Sequence, residues 1–427
     1  MDKVRVGILG FGTVGEGAYR MLMDNQAAIE SKSGIGLEVV RIGVRDMDRE
    51  RGAPRELFTR DLESIVRDPD IDIILELIGG LDPAESLIEA ALSHGKHVVT
   101  ANKELIAKQG HALMRRAASQ GLDLHFEAAV GGGIPLIQPL KHQLAGNDVL
   151  KLMGIVNGTT NYILSKMTQE GRAFDEVLQE AQAAGYAEAE PSSDVDGFDA
   201  QYKLSILSSI AFGGEVRPEK IPTEGIRRIG ARDIDFAKML GYRIKLLAIA
   251  ELLPEGILAR VHPTMLPRQH PLANVHGVYN AVWVKGDFVG DVMLSGRGAG
   301  AFPTGSAVVG DIIDICRNIR IGGSASVQPP QEGLYVLSID QLRTRYYMRL
   351  TVQDRPKVLG IIAGIFGEEE IGLRAMEMRE LNDGLGEIVF LTHLCQEQNL
   401  QRAMARLAAT EVVACVENWV RVEEESE

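Results

Sequence analysis

Residues 4–9, VRVGIL, form a short apolar run that leads directly into Gly10-Phe11-Gly12-Thr13-Val14-Gly15. Beyond that turn Ala18, Leu22, Gln26 and Ile29 fall on one helical face until Ser33-Gly34, and a second apolar run spans Leu37 to Val44. An apolar strand, a glycine turn and an amphipathic helix in this order constrain the chain more than any other feature. In GxGxxG the first glycine makes the turn, the second lets backbone approach a pyrophosphate and the third lets helix pack on strand. The helix N-terminus then offers free N–H groups and a positive dipole end to the phosphates. Alone the motif is weak, since such a turn also serves packing; placed between a first strand and a helix, it predicts dinucleotide binding.

The pattern recurs. IDIILELI (71–78) reads as a strand, Asp82-Pro83 as an N-cap and first helical position, and Gly95 ends that helix before the strand KHVVT. An α/β domain with a parallel sheet follows. From about 136 to 295 longer helices (161–170, 174–184, 200–212, 231–240) precede β-rich segments, an α+β pattern. Residues 321–338 carry the Gly, Ser and Pro of a linker. The tail then reads strand 346–352, helix 357–367, strands 373–380 and 387–392, helix 397–408 and strand 412–422, a ferredoxin-like βαββαβ unit.

Length and composition bound the function. A chain of 427 residues holds two to four domains at roughly 100–200 residues each. A net charge of −14 argues against nucleic acid bound over a broad surface. Three scattered cysteines make neither a disulfide framework nor a zinc cluster, and no run of about 20 apolar residues occurs. The expectation is a soluble cytoplasmic protein.

Four segments carry candidate chemistry. The second strand ends at Arg45, with Asp46 next and Arg41, Arg49 and Arg51 nearby. An acidic residue there holds a ribose 2′-OH and an arginine accommodates a 2′-phosphate, so the cluster favours NADP while Asp46 leaves NAD open; a solvated loop is the plain alternative. Thr100-Ala101-Asn102-Lys103 places a lysine at the start of the helix KELIAKQG, at the carboxyl end of a strand, where it can meet a substrate oxygen or simply lie on the surface. FEAAVGGGIPL turns through Gly131, Gly132 and Gly133 after Glu127, an oxygen-rich turn suited to a hard cation or merely a tight turn. Finally, GYAEAEPSSDVDGFDAQYK packs Glu188, Glu190, Asp194, Asp196 and Asp199 ahead of Lys203. Asp199 and Lys203 share a helix face at i and i+4, which also suits a simple surface pair. The helix continues LSILSSIAF, so Lys203 is expected to be buried, where a lysine needs a partner and can titrate near neutral pH. Carboxylates around it suit a substrate ammonium. Together these predict hydride transfer between a nicotinamide and an amino acid's side-chain carbonyl or alcohol.

GFGTVG, ELIGG, GKHVVTANKELIA, FEAAVGGGIP, NGTTNYIL, GYAEAEPSSDVDGFDAQYKL, NAVWVKGD and GRGAGAFPTGSAVVGDI, in this order, resemble the homoserine dehydrogenase family over residues 4 to about 320. The tail YYMRLTVQDRPKVLGIIAGIFGEEEIGL resembles an ACT domain, an amino-acid-binding regulatory module, so the chain resembles the long monofunctional form. The resemblance implies a Rossmann-type NAD(P)-binding domain over 1–135, completed by about 296–325, a substrate-binding and dimerisation domain over 136–295, and an ACT domain over 345–427. It implies reversible NAD(P)H-dependent reduction of L-aspartate 4-semialdehyde to L-homoserine on the route to threonine, methionine and isoleucine.

Carried over by motif, Lys203 is the proton donor to the developing alkoxide and Lys103 polarises the carbonyl. Glu188, Asp194 and Asp199 hold the amine or the catalytic lysine, while Thr159 and Tyr186 line the substrate pocket. Gly10 to Gly15, Arg45, Thr100, Lys103, Gly185, Gly298 and Gly300 contact the cofactor. A monovalent cation, sodium by the family pattern, sits on the Glu127 carboxylate and the carbonyls of Val130, Gly132 and Ile134. The family pattern also implies a homodimer or homotetramer and an amino-acid effector. Against the usual DRPG, the tail reads Asp354-Arg355-Pro356-Lys357, which puts a side chain at the helix start and threonine feedback in doubt. Two alternatives stay open, another amino-acid dehydrogenase and an ACT-linked redox or amino-acid sensor.

Overall fold

The structure, a computed structural model, describes residues 3–323 and 335–423; residues 324–334 of the expected linker lie outside them. The chain divides into two compact units, Met1–Leu152 with Gln201–Ile221 and Tyr279–Leu334, and Met153–Ala200 with Pro222–Val278 and Tyr335–Glu427.

The first unit is built on a six-stranded parallel sheet in the order Phe58–Thr59, Leu37–Gly43, Val4–Leu9, Ile73–Glu76, His97–Thr100, Leu124–His125. The strand order reverses direction at Val4–Leu9, and ligands of such sheets bind at the carboxyl ends on either side of that point. Gly10 lies there at φ 97, and a Cβ on it would stand 2.6 Å from the Leu77 carbonyl oxygen. The helix Ala301–Ile321 returns to pack on the helix Thr13–Asp24. The approach is so close that a Cβ on Gly17 would lie 2.2 Å from the Ala301 oxygen, and one on Gly305 2.8 Å from the Ala18 nitrogen.

Two local expectations are corrected. The first helix is two pieces, Thr13–Asp24 and Gln26–Ser33. Asn25 N–H still bonds Met21 O and Ile29 N–H bonds Asn25 O, but Asn25 itself leaves helical geometry at φ −109, ψ 16 while Leu22 and Ile29 both stay buried. The helix Ala84–Ser93 starts one residue later than expected, with Pro83 rather than Asp82 as its N-cap, because Pro83 at φ −89, ψ 12 lies outside helical geometry.

The second unit contains the strands Tyr242–Leu253, Gly256–Pro267, Val413–Val422, Arg343–Gln353, Leu385–Thr392 and Leu373–Glu380, adjacent in that order. The last four, with the helices Val358–Glu368 and Glu397–Ala408, form the expected βαββαβ arrangement. They do not stand apart behind a linker. Val413–Val422 pairs in parallel with Gly256–Pro267 through Arg421 opposite Thr264, so the tail extends the sheet of this unit. Buried Asp233, on the helix Ala231–Met239, accepts from Arg349 Nε (2.8 Å), Tyr347 Oη (3.1 Å) and Asn418 Nδ2 (2.9 Å), all of the tail. Lys357, the N-cap of Val358–Glu368, takes φ 76, the left-handed conformation that glycine adopts more easily.

Candidate active site

In the first unit a cleft of about 560 Å³ opens at the carboxyl ends of three sheet strands, lined by Gly10, Phe11, Gly12, Gly43 to Asp46, Leu77 and Ile78, with Arg49, Arg51 and Arg60. The turn brings backbone to this cleft. The Phe11 ring points into the core, edge-on to Tyr19 (5.6 Å) and Phe58 (5.4 Å). Gly12 and Thr13 are exposed, Val14 packs on the core, and a Cβ on Gly15 would meet Gly10 O at 2.4 Å. Arg45 therefore shares one cleft with three further arginines and a single carboxylate, Asp46. Asp46 accepts the Asp48 N–H at 2.9 Å; that bond, the Arg49 N–H and the charges of Arg51 and Arg60 hold its carboxyl below the usual range.

Glu76, which sequence reasoning passed over within ELIGG, ends its strand fully buried. Its Oε1 accepts the N–H groups of Ile78 (2.8 Å) and Gly79 (3.2 Å) and its Oε2 the Thr100 hydroxyl (2.6 Å), fixing the loop beside Gly10. Thr100 thus spends its hydroxyl on Glu76 and on Asn102 N–H (3.0 Å), which leaves its backbone for any cofactor contact. Asn102 caps the helix Lys103–Ser119 by accepting Leu105 N–H and donates to Gly80 O at 2.6 Å. Lys103 is the first residue of that helix, as expected.

The Glu127 carboxylate is buried in a cradle of consecutive N–H groups. Oε1 accepts from Leu136 (2.6 Å) and Ile137 (2.8 Å), Oε2 from Gln138 (2.8 Å). Burial, with Asp311 nearby, outweighs these bonds and raises its pKa. Both oxygens being so engaged, a cation at this turn would depend mainly on the carbonyls of Val130, Gly132 and Ile134. Gly131 and Gly132 turn through φ 73 and 58, and a Cβ on Gly132 would press the Gly298 carbonyl carbon at 2.5 Å. Gly298 is itself seated on Asn280, 2.2 Å from where its Cβ would be, and Gly300 caps Ala301–Ile321 at φ 124.

In the second unit Asn157 gathers the acid loop. Its Nδ2 donates to Asp194 (2.6 Å) and Asp199 (2.9 Å), while its Oδ1 caps the helix Gly158–Glu170 through Thr160 N–H. Thr159 donates to Tyr186 O at 2.7 Å, and the Tyr186 ring, half exposed, stands 5.0 Å from that of Tyr162. Gly185 is exposed at φ 74 just past the helix Phe174–Ala183. The Glu188 carboxylate is exposed and makes no hydrogen bond or ion pair among the described residues; only its carbonyl is used, by Gln182. Glu190 binds Ser192, and Arg227 holds Asp196 at 2.6 Å. Asn157 was legible as a helix N-cap within NGTT; nothing in the sequence marked Arg227.

Lys203 lies on the helix Phe198–Phe212, one turn after Asp199, and is 9% exposed among the buried residues 204–208. A lysine this buried costs free energy unless its ammonium is matched.

Two family models match the chain, "Homoserine dehydrogenase, NAD binding domain" over residues 10–127 and "Homoserine dehydrogenase" over 135–313. The chain belongs to the homoserine dehydrogenase family. It is 47% identical to the homoserine dehydrogenase of Synechocystis sp., covering 98% of this chain and 99% of that one, and 38% identical to that of Bacillus subtilis, covering 99% of both. Among solved structures, a homoserine dehydrogenase from Thiobacillus denitrificans matches with a TM-score of 0.95 at 43% identity, covering 99% of each chain. A hyperthermophilic archaeal homoserine dehydrogenase in complex with NADPH matches 74% of this chain and 98% of its own, with a TM-score of 0.63 at 30% identity. Family membership makes the protein an NAD(P)-dependent oxidoreductase acting on a CH–OH group. No helix among the described residues is long and apolar enough to cross a membrane.

Proposed function

We propose that the protein interconverts L-aspartate 4-semialdehyde and L-homoserine with NADP(H) as the preferred cofactor, Lys203 being the acid that protonates the substrate oxygen. The observation that carries this is the burial of Lys203 one helical turn from Asp199. A buried ammonium in reach of the substrate oxygen can act as its general acid and take its proton back from solvent. The glycine turn and its cleft fit a dinucleotide. Bound there, the nicotinamide supplies or accepts the hydride. Lys103, at a strand's carboxyl end, polarises the carbonyl; Asp194 and Asp199, held by Asn157, orient the substrate ammonium, with Thr159 and Tyr186 alongside. Glu188 has no such support, and its role is assigned on the family pattern alone.

Four arginines against one preoccupied carboxylate support NADP over NAD. A monovalent cation at the 130–134 turn fits a set of carbonyl oxygens with the Glu127 cradle fixing their geometry. The tail is read as an ACT domain and the active form as a homodimer or homotetramer, on the family pattern.

The test is oxidation of NADPH, followed at its absorbance, on addition of aspartate semialdehyde. NADPH should be used with a KM at least several-fold below that of NADH, and Arg45→Ala should narrow the gap by raising the NADPH KM alone. Equal use of both cofactors by the unaltered enzyme would overturn the NADP assignment, and no turnover with either would overturn the substrate.

A further inference from the structure

The first unit buries a carboxylate that its fold does not require to be charged. Glu76 ends the strand Ile73–Glu76 fully buried, with no ion-pair partner among the described residues. Its bonds run to neutral donors, the Ile78 and Gly79 N–H groups on Oε1 and the Thr100 hydroxyl on Oε2, so both oxygens act as acceptors, as those of an ionised carboxylate do. A glutamine could make the same bonds. Its amide oxygen would accept both N–H groups, and its amide nitrogen would donate to Thr100 Oγ1, which accepts from Asn102 N–H at 3.0 Å and has a second lone pair. A carboxylate costs more to bury than a neutral amide of the same shape. The charge therefore serves something other than holding the loop.

Its place in the sheet points to a use. Glu76 stands between Leu9 of one neighbouring strand and Thr100 of the other. Leu77 and Ile78, which follow it, line the cleft beside Gly10, whereas the arginine cluster follows Leu37–Gly43, on the opposite side of Val4–Leu9. A dinucleotide with its 2′-phosphate on those arginines and its pyrophosphate at the Gly10 turn has its other half over the ends of Ile73–Glu76 and His97–Thr100. That half carries the nicotinamide ring, which is positively charged when oxidised and neutral when reduced. We propose, taking this cleft as the dinucleotide site, that the Glu76 carboxylate favours the oxidised over the reduced form of the bound cofactor.

A fixed negative charge lowers the free energy of a cationic ring and leaves a neutral one nearly unaffected, so the carboxylate acts on the difference between the two forms. Because Glu76 is out of water, salt screens it less than it would a surface carboxylate. Its surroundings also keep it in place. Gly79 and Gly80 turn the loop at φ 81 and 75, and Asn102 Nδ2 ties Gly80 O at 2.6 Å, so the charge cannot swing out to solvent without breaking several bonds. For unit charges several ångströms apart beneath a protein surface, the effect on a binding constant is on the order of fivefold to tenfold. Positive charge also builds on the ring as hydride leaves it, so the same carboxylate assists transfer in either direction.

Full-length protein without amino-acid substrate is titrated calorimetrically with NADP+ and NADPH, and separately with NAD+ and NADH. Glu76→Gln should raise the Kd of the oxidised form about fivefold to tenfold and leave that of the reduced form within about twofold. Thr100→Val removes a bond to Glu76 but no charge, and should leave the ratio of the two constants within about twofold of the unaltered protein's. An unchanged ratio in Glu76→Gln, equal weakening of both forms, or a Thr100→Val ratio that moves as far as that of Glu76→Gln overturns the proposal. Thermal melting should place Glu76→Gln at or above the unaltered protein, since the bonds are kept and a buried charge is lost. A variant that fails to fold or melts far lower means that the fold needs the charge, which also overturns it. Each nucleotide pair gives its own ratio without turnover, so an error in the NADP preference, the substrate or the role of Lys203 would show separately. Binding of none of the four by the unaltered protein would overturn the cleft as the dinucleotide site, and the proposal with it.

Discussion

The two units prepare for ligands by different means. In the first, backbone does the work: Gly10, Gly15, Gly132 and Gly298 remove side chains where chain must approach chain, and the buried carboxylates of Glu76 and Glu127 pin loops through consecutive N–H groups. In the second, side chains hold side chains: Asn157 gathers Asp194 and Asp199, Arg227 holds Asp196, and Asp233 collects three donors from the tail. The difference follows the chemistry. A dinucleotide phosphate is met by N–H groups that are fixed and cannot be titrated, whereas an amino-acid substrate needs groups that carry charge.

The largest expected effect is at Lys203, a charged group that the first unit carries on Gln201–Ile221. Lys203→Ala should lower kcat by about 10²- to 10⁴-fold while NADPH affinity, measured by fluorescence titration, stays within a few-fold. A variant with near-normal turnover would remove the lysine from the chemistry. Next comes Gly10→Ala, where positive φ and the Leu77 oxygen 2.6 Å away leave no room for a methyl group. Strain on the order of 1–3 kcal/mol should weaken NADPH binding roughly tenfold or more, with less effect on the homoserine KM. Asn157→Ala should do the reverse, raising the homoserine KM about tenfold and sparing cofactor affinity, since it releases two carboxylates of the second unit. If Gly10→Ala and Asn157→Ala shift the same constant, the contrast between the units fails.

The smallest effect on activity concerns Lys245, whose Nζ donates to Asn161 (2.8 Å) and Val275 O (2.6 Å) inside the second unit. Burial, helped by the Arg243 charge, pulls its pKa down to about 7. Between about pH 7 and the ordinary lysine range near 10.4 the unfolded chain keeps this proton and the folded one has released it, so folding releases a proton and stability rises with pH. Relative to Lys245→Met, the unaltered protein should therefore gain stability from pH 7 to pH 10, by a few kcal/mol at most at about 1.4 kcal/mol per pKa unit. Urea melts at the two pH values measure it, and a pH-independent difference would show that the amine is charged throughout.

Much of this was legible in the sequence, for a physical reason. Period, glycine spacing and caps are local, and they placed the parallel sheet, the βαββαβ tail, Lys103 at its helix start and Lys203 within a buried helix. The break at Asn25 was not legible, because both halves keep the same apolar face. Nor was the side-chain direction of Phe11 or the use of the Thr100 hydroxyl, since a motif names residues and not which atoms face the ligand. Glu76, Arg227 and Asp233 were missed because each makes a decisive bond to a partner distant in sequence, Thr100, Asp196 and Arg349 respectively.

The sequence by itself determined the order of elements, the family and the chemical types at the site, all of which depend on neighbours a few residues apart. Tertiary structure alone decided that the tail joins the sheet of the second unit through Arg421 and Thr264, and that Glu127 anchors a loop by accepting three N–H groups. Both rest on hydrogen bonds that local sequence pattern does not pair. A buried donor or acceptor must find a partner, but only the folded packing determines which one is within reach.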